Sequence, residues 1–67
     1  MDEKTARVRI DMGNAAFDEP GDEIARILRE LADQIVGSSD AAEIVEHGGK
    51  LKLRDINGNI VGYFKVE

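Results

Sequence analysis

Leu51-Lys52-Leu53-Arg54-Asp55-Ile56-Asn57-Gly58-Asn59-Ile60-Val61-Gly62-Tyr63-Phe64-Lys65-Val66 decides the fold. Asn57-Gly58 is a strong signal for a two-residue type I′ turn, because both residues accept positive φ. A loop of those two residues pairs Ile56 with Asn59, Asp55 with Ile60, Leu53 with Gly62 and Leu51 with Phe64. Leu51, Leu53, Ile60, Phe64 and Val66 then share one face, and Lys52, Arg54, Val61, Tyr63 and Lys65 share the other. A one-residue slip would destroy that separation, so turn chemistry and side-chain alternation specify the same hairpin.

The segment before the hairpin admits two readings. Asp40-Ala41-Ala42-Glu43 resembles the start of a short helix ending at Gly48, yet Gly48-Gly49 would equally turn a strand carrying Ile44 into the strand carrying Leu51. Further upstream, Ile24, Ile27, Leu28, Leu31, Ile35 and Val36 recur at three- and four-residue steps, with Glu23, Arg26, Glu30, Asp33 and Gln34 on the remaining circumference. Asp18-Glu19-Pro20 gives this amphipathic helix its start, and Gly37 gives it a stop. Thr5 to Met12 alternate, with Ala6, Val8, Ile10 and Met12 on one side and Thr5, Arg7, Arg9 and Asp11 on the other, which is the pattern of a half-buried strand. The chain is therefore expected to form one small α+β domain, residues 1–67, with one helix packed on a three- to four-stranded antiparallel or mixed sheet. The expected core is Val8, Ile10, Ile24, Ile27, Leu28, Leu31, Ile35, Leu51, Leu53, Ile60 and Phe64.

A chain of 67 residues without cysteine supports one thin core and no disulfide framework. A homodimer or larger assembly is the expected source of further buried surface. Nothing approaches the roughly eighteen consecutive apolar residues of a membrane span. Met1-Asp2-Glu3-Lys4 also lacks the basic and then apolar pattern of a secretory signal. The expectation is a cytoplasmic protein with no membrane partner. A net charge of −5 argues against non-specific binding to nucleic acid.

The distribution of charge is more informative than its sum. One helix covers one side of a sheet, and the uncovered side is expected to present Arg7, Arg9, Lys52, Arg54 and Lys65, with Tyr63, Val61 and Ile56 interleaved. Three uses of such a face follow. It is a solvated surface, a subunit interface, or a site for an acidic partner or a phosphate-bearing molecule such as a nucleotide, held by Arg9 and Arg54 with Tyr63 available for stacking. The site expected from the residues is Arg7, Arg9, Lys52, Arg54 and Tyr63. The competing surface is acidic: Asp18, Glu19, Asp22, Glu23 and Glu30 would mimic nucleic acid toward a basic host protein.

Catalytic and metal chemistry find little support. His47 is the lone histidine, and adjacent Glu46 and His47 point apart on either a helix or a strand, with no nucleophile beside them. Asp55-Ile56-Asn57-Gly58-Asn59 lacks the spacing and terminal glutamate of a calcium loop. A binding protein without cofactor or metal is expected, not an enzyme.

Asn14-Ala15-Ala16-Phe17, Ala25-Arg26-Ile27-Leu28-Arg29-Glu30-Leu31-Ala32-Asp33 and Leu53-Arg54-Asp55-Ile56-Asn57-Gly58-Asn59-Ile60-Val61-Gly62 carry a resemblance to small accessory proteins encoded in tailed-bacteriophage and prophage genomes. The likeness spans most of the chain, with Ser38 to Lys50 as its variable part. It implies a context: such proteins modulate host machinery or blunt host defences by binding a protein or a signalling nucleotide. A purely structural virion or assembly component is a third alternative beside the two binding surfaces. It implies no particular site residue.

Overall fold

A computed structural model describes residues 4–67. It contains strand β1 (Ala6–Ile10), a single 3-10 turn (Ala15–Phe17), helices α1 (Pro20–Gly37) and α2 (Ser39–His47), and strands β2 (Gly49–Arg54) and β3 (Ile60–Val66). The strands form one antiparallel sheet in the order β1-β3-β2, so the last strand lies at the centre. The fold is α+β, with two helices on the same side of three strands. The ambiguous segment is the helix ending at Gly48, not a strand, and the sheet has no fourth member among the described residues.

Helix α1 starts at Pro20, whose missing N–H would have had no partner in the first turn anyway. Ser38 ends α1 by donating its N–H to the Gln34 carbonyl at 2.8 Å and at once precedes α2. Ala41, fully buried, lies on α2, which packs against α1, β2 and β3. Phe17, Ile27, Leu31, Leu53, Val61, Phe64 and Val66 make the core, with Ile10, Ile24, Ile35, Ile44 and Leu51 packed around it. Ile27, 2% exposed, is the most deeply enclosed large side chain, and burial of that size stabilises by about 1.5–3 kcal/mol.

Three expected core residues lie elsewhere. Val8 and Leu28 are each more than 40% exposed: Val8 is on edge strand β1, whose main packing partner is β3. Ile60 is 53% exposed whereas Val61, expected on the outer face, is 6% exposed. A β-bulge explains the exchange. Leu51 pairs with Phe64 and Leu53 with Gly62 as expected, but Arg54 pairs with Ile60, leaving Val61 as an extra residue that turns inward.

The bulge follows from the turn. Gly58, at φ 87°, is the sole positive-φ residue between β2 and β3, so the loop is not type I′, which needs two. The Gly58 N–H bonds the Asp55 carbonyl at 3.0 Å, and the Asp55 N–H bonds the Asn59 carbonyl at 2.8 Å, enclosing three residues instead of two. The Asp55 carboxylate selects this turn by accepting from the N–H groups of Asn57 and Asn59, both at 2.9 Å. The one-residue change in loop length is absorbed at Val61.

A candidate anion-binding face

Side chains opposite the helices form two complete cross-strand rows. Arg7 pairs with Lys65, which pairs with Lys50; Arg9 pairs with Tyr63, which pairs with Lys52. Five cations thus surround one aromatic ring, and directly opposed side chains in such ladders lie about 5 Å apart at Cβ. Arg7, Arg9, Lys50 and Lys52 are exposed, and Tyr63 and Lys65 half-buried. Lys50 was not among the expected residues. Two-residue alternation back from Lys52 reaches it, but the segment whose conformation the sequence left open runs to Gly49, immediately before it, so the strand was read only from Leu51. Its ammonium lies 4.7 Å from the Tyr63 ring centroid, within cation–π range.

The compensating acids sit at the margins. Asp11 lies 3.3 Å from Arg9, and Glu67 lies 3.7 Å from Arg7 and 3.3 Å from Lys65. Asp11, by hydrogen bond and charge, followed by Tyr63, raises the Arg9 pKa above its already basic ordinary value. All three pairs are solvent-exposed and therefore weak. They leave the cations available to a stronger anion.

Arg54 stands one step beyond the rows, opposite Ile60. Its Nη1 donates to the Gly58 carbonyl at 3.0 Å, so the guanidinium is partly committed to the hairpin loop. Beside it, Lys52, Leu53, Glu30 and Gln34 help line a groove of about 260 Å³ between α1 and β2. Of the five residues expected at the site, Arg7, Arg9, Lys52 and Tyr63 come together; Arg54 lies at the rim. Val61 is in the core, and Ile56, 67% exposed, projects from the hairpin tip.

The acidic surface is arranged differently from its sequence pattern. Glu23, expected on the solvent side of α1, is 6% exposed. It accepts from Arg26 at 2.8 and 3.1 Å and from the Ile56 N–H at 2.9 Å. Arg26 also contacts Glu30 and donates to the Arg54 carbonyl at 3.2 Å. Asp55, 4% exposed, accepts further bonds from the side chains of Asn14 and Asn59 at 3.0 and 3.2 Å. The Arg26 bond is the main influence holding the Glu23 carboxyl below its usual range, against the upward push of burial. For Asp55 burial is the largest influence and acts upward, but the bonds from Asn59, Asn57 and Asn14 together outweigh it and depress the pKa. These two acids fasten the hairpin loop to α1 and to the segment after β1. They are fully partnered internally.

The chain matches no family model, no curated protein and no solved structure.

Proposed function

We propose that this protein is a non-enzymatic accessory protein of phage type that binds a phosphate-bearing small molecule, such as a nucleotide, on its basic sheet face. The observation that carries the reading is the paired rows Arg7–Lys65–Lys50 and Arg9–Tyr63–Lys52. In a chain with fourteen acids and nine bases, the first of these rows sets like charges directly opposite one another, and the second adds a cation on each side of Tyr63. Such opposition is destabilising in a ladder, and an anion lying across the strands relieves it. Phosphate oxygens suit guanidinium and ammonium donors, while a base would take the place of the Lys50 ammonium on the Tyr63 ring. The competing charge-mimic reading has less to stand on, since Glu23 is consumed by the loop and Glu30 is paired with Arg26.

The test is an NMR titration with adenosine diphosphate and, separately, inorganic pyrophosphate. Both should shift the backbone signals of Arg9, Lys52 and Lys65, and only the nucleotide should also move the Tyr63 ring protons. Combined Arg9→Glu and Lys52→Glu replacement should weaken binding by about tenfold or more, while Asp18→Lys with Asp22→Lys should not. Absence of shifts at millimolar ligand, or indifference to the Arg9 and Lys52 changes, would refute the reading.

A further inference from the structure

The free edge of β1 pairs with a second copy of this chain. We infer this from the chemistry that the edge presents, and the inference stands independently of the anion reading. Thr5 exchanges both backbone bonds with Glu67, and the Asp11 N–H bonds the Val61 carbonyl. Thr5 and Asp11 flank β1, so the odd-numbered residues between them, Arg7 and Arg9, likewise direct their backbone groups to β3. Antiparallel alternation then sends the N–H and C=O of Val8 and Ile10 toward the outer edge. No described strand pairs with that edge. It carries neither proline nor bulge, two of the devices that block strand addition, and the charges that flank Ile10, Arg9 and Asp11, are opposite in sign. The side chains of Val8 and Met12 stand 45% and 48% exposed. The opposite edge, β2, carries only cations at its alternate positions, Lys50, Lys52 and Arg54, so two copies of it would set like charges against each other.

Charge fixes the partner and the register. Side chains on the helix side must remain there across a two-fold axis, so an antiparallel β1–β1 pair must be centred on a residue. Centring on Arg7, Arg9 or Asp11 sets that charge against itself, and centring on Val8 sets Arg7 against Arg9. Centring on Ile10 alone among these five avoids like-charge opposition. It places Arg9 opposite the partner's Asp11 twice, Val8 opposite the partner's Met12 twice, and Ile10 against itself. β1 together with the two residues that follow it is thus self-complementary in charge and apolarity, which an unrelated strand would match only by coincidence. The product is a continuous six-stranded sheet with helices on one side and both basic faces on the other.

The test is native mass spectrometry and sedimentation without added anion. The natural protein should be dimeric at micromolar concentration. Arg9→Asp alone and Asp11→Arg alone each convert two attractions into two repulsions, and should weaken the dimer by roughly thirty-fold. An equimolar mixture of the two single variants should form a heterodimer, in which every cross-strand pair is again opposite in sign. The double variant R9D/D11R should regain the homodimer. Heterodimer rescue also separates the interface from the Arg9–Asp11 pair within one strand, which mixing cannot restore. A monomer at that concentration, or a dimer indifferent to the single charge changes, would overturn the inference. Circular dichroism of each variant shows whether a lost dimer is a lost fold, and the heterodimer result decides the question even if a single variant is weakened alone.

Discussion

Gly62→Ala should be among the most damaging single-methyl additions to this chain. A Cβ at position 62 would lie 1.7 Å from the Arg9 carbonyl oxygen, 2.7 Å from the Arg9 carbonyl carbon and 3.0 Å from the Ile10 Cα. All three obstacles are backbone atoms, so no rotamer change clears them. To reach even the shortest approach that real structures show, 3.0 Å, β1 must retreat by about 1.3 Å. That movement stretches the neighbouring Asp11 N–H to Val61 carbonyl bond, now 2.7 Å. Overpacking of this kind typically costs about 1–3 kcal/mol and occasionally more, and each weakened ladder bond adds about 0.5–1.5 kcal/mol. The expected loss is therefore about 2–5 kcal/mol, against a total stability of roughly 3–10 kcal/mol for a chain of this length. At about 4–8 °C per kcal/mol the melting temperature should fall by roughly 8–40 °C. Urea denaturation followed by circular dichroism measures the loss, with Gly37→Ala as control, since a Cβ there meets nothing within 4 Å. A Gly62→Ala protein within about 0.5 kcal/mol of the parent would refute the close approach of β1 to β3.

The bulge gives a paired prediction: Val61→Thr should cost about 1–3 kcal/mol by burying a hydroxyl, whereas Ile60→Thr should stay within about 0.5 kcal/mol. The opposite ranking in urea midpoints would restore a hairpin without the bulge. Acid should loosen the hairpin loop. Glu23 and Asp55 have folded pKa values depressed below the ordinary 4.5 and 3.8, so their contribution is complete above those values and is lost as pH falls through the lower folded ones. Urea midpoints should decline below pH 4.5, and Asp55→Asn should flatten part of that decline; an unchanged acid limb would show that the Asp55 carboxylate contributes nothing through its ionised form.

Much of this arrangement was legible because it rests on local chemistry and short periodicities. The α1 helix with its buried Ile27 and Leu31, the strand at β1 and the Leu51–Phe64 register all follow from spacing, whereas Leu28 and Val36 of the same stripe stand 42% and 87% exposed, and of β1 only Ile10 is partly buried. The errors arise where a tertiary or side-chain interaction overrules the local pattern. Asn57-Gly58 favours a two-residue loop by its own preference, but the Asp55 carboxylate binds two loop N–H groups and lengthens it by one residue. Glu23 falls on the polar arc of α1, yet the N–H of Ile56 lies over that arc and draws the carboxylate inward. Phe17 had no periodic neighbours to mark it as core; its signal is Asn14, whose side chain accepts from the Ala16 N–H at 2.8 Å and starts the turn that carries Phe17 inward.

The bulge also sets the limit of the candidate site. Without it, the outer face would continue past Arg9, Tyr63 and Lys52 into a third row carrying Val61. With it, Ile60 takes the outward position opposite Arg54, Val61 turns into the core, and Asp11 lies across from Val61 on the β1 side. The third row therefore presents an acid, an exposed isoleucine and an arginine held by the Gly58 carbonyl. That combination suits a boundary better than a phosphate contact. The two rows before it are uniformly basic apart from Tyr63. An anion centred on the sheet should accordingly lie toward the Lys65 side of Tyr63, and Lys65→Glu should weaken adenosine diphosphate more than Arg54→Glu does. The reverse order in the same NMR titration would move the site to the groove between α1 and β2.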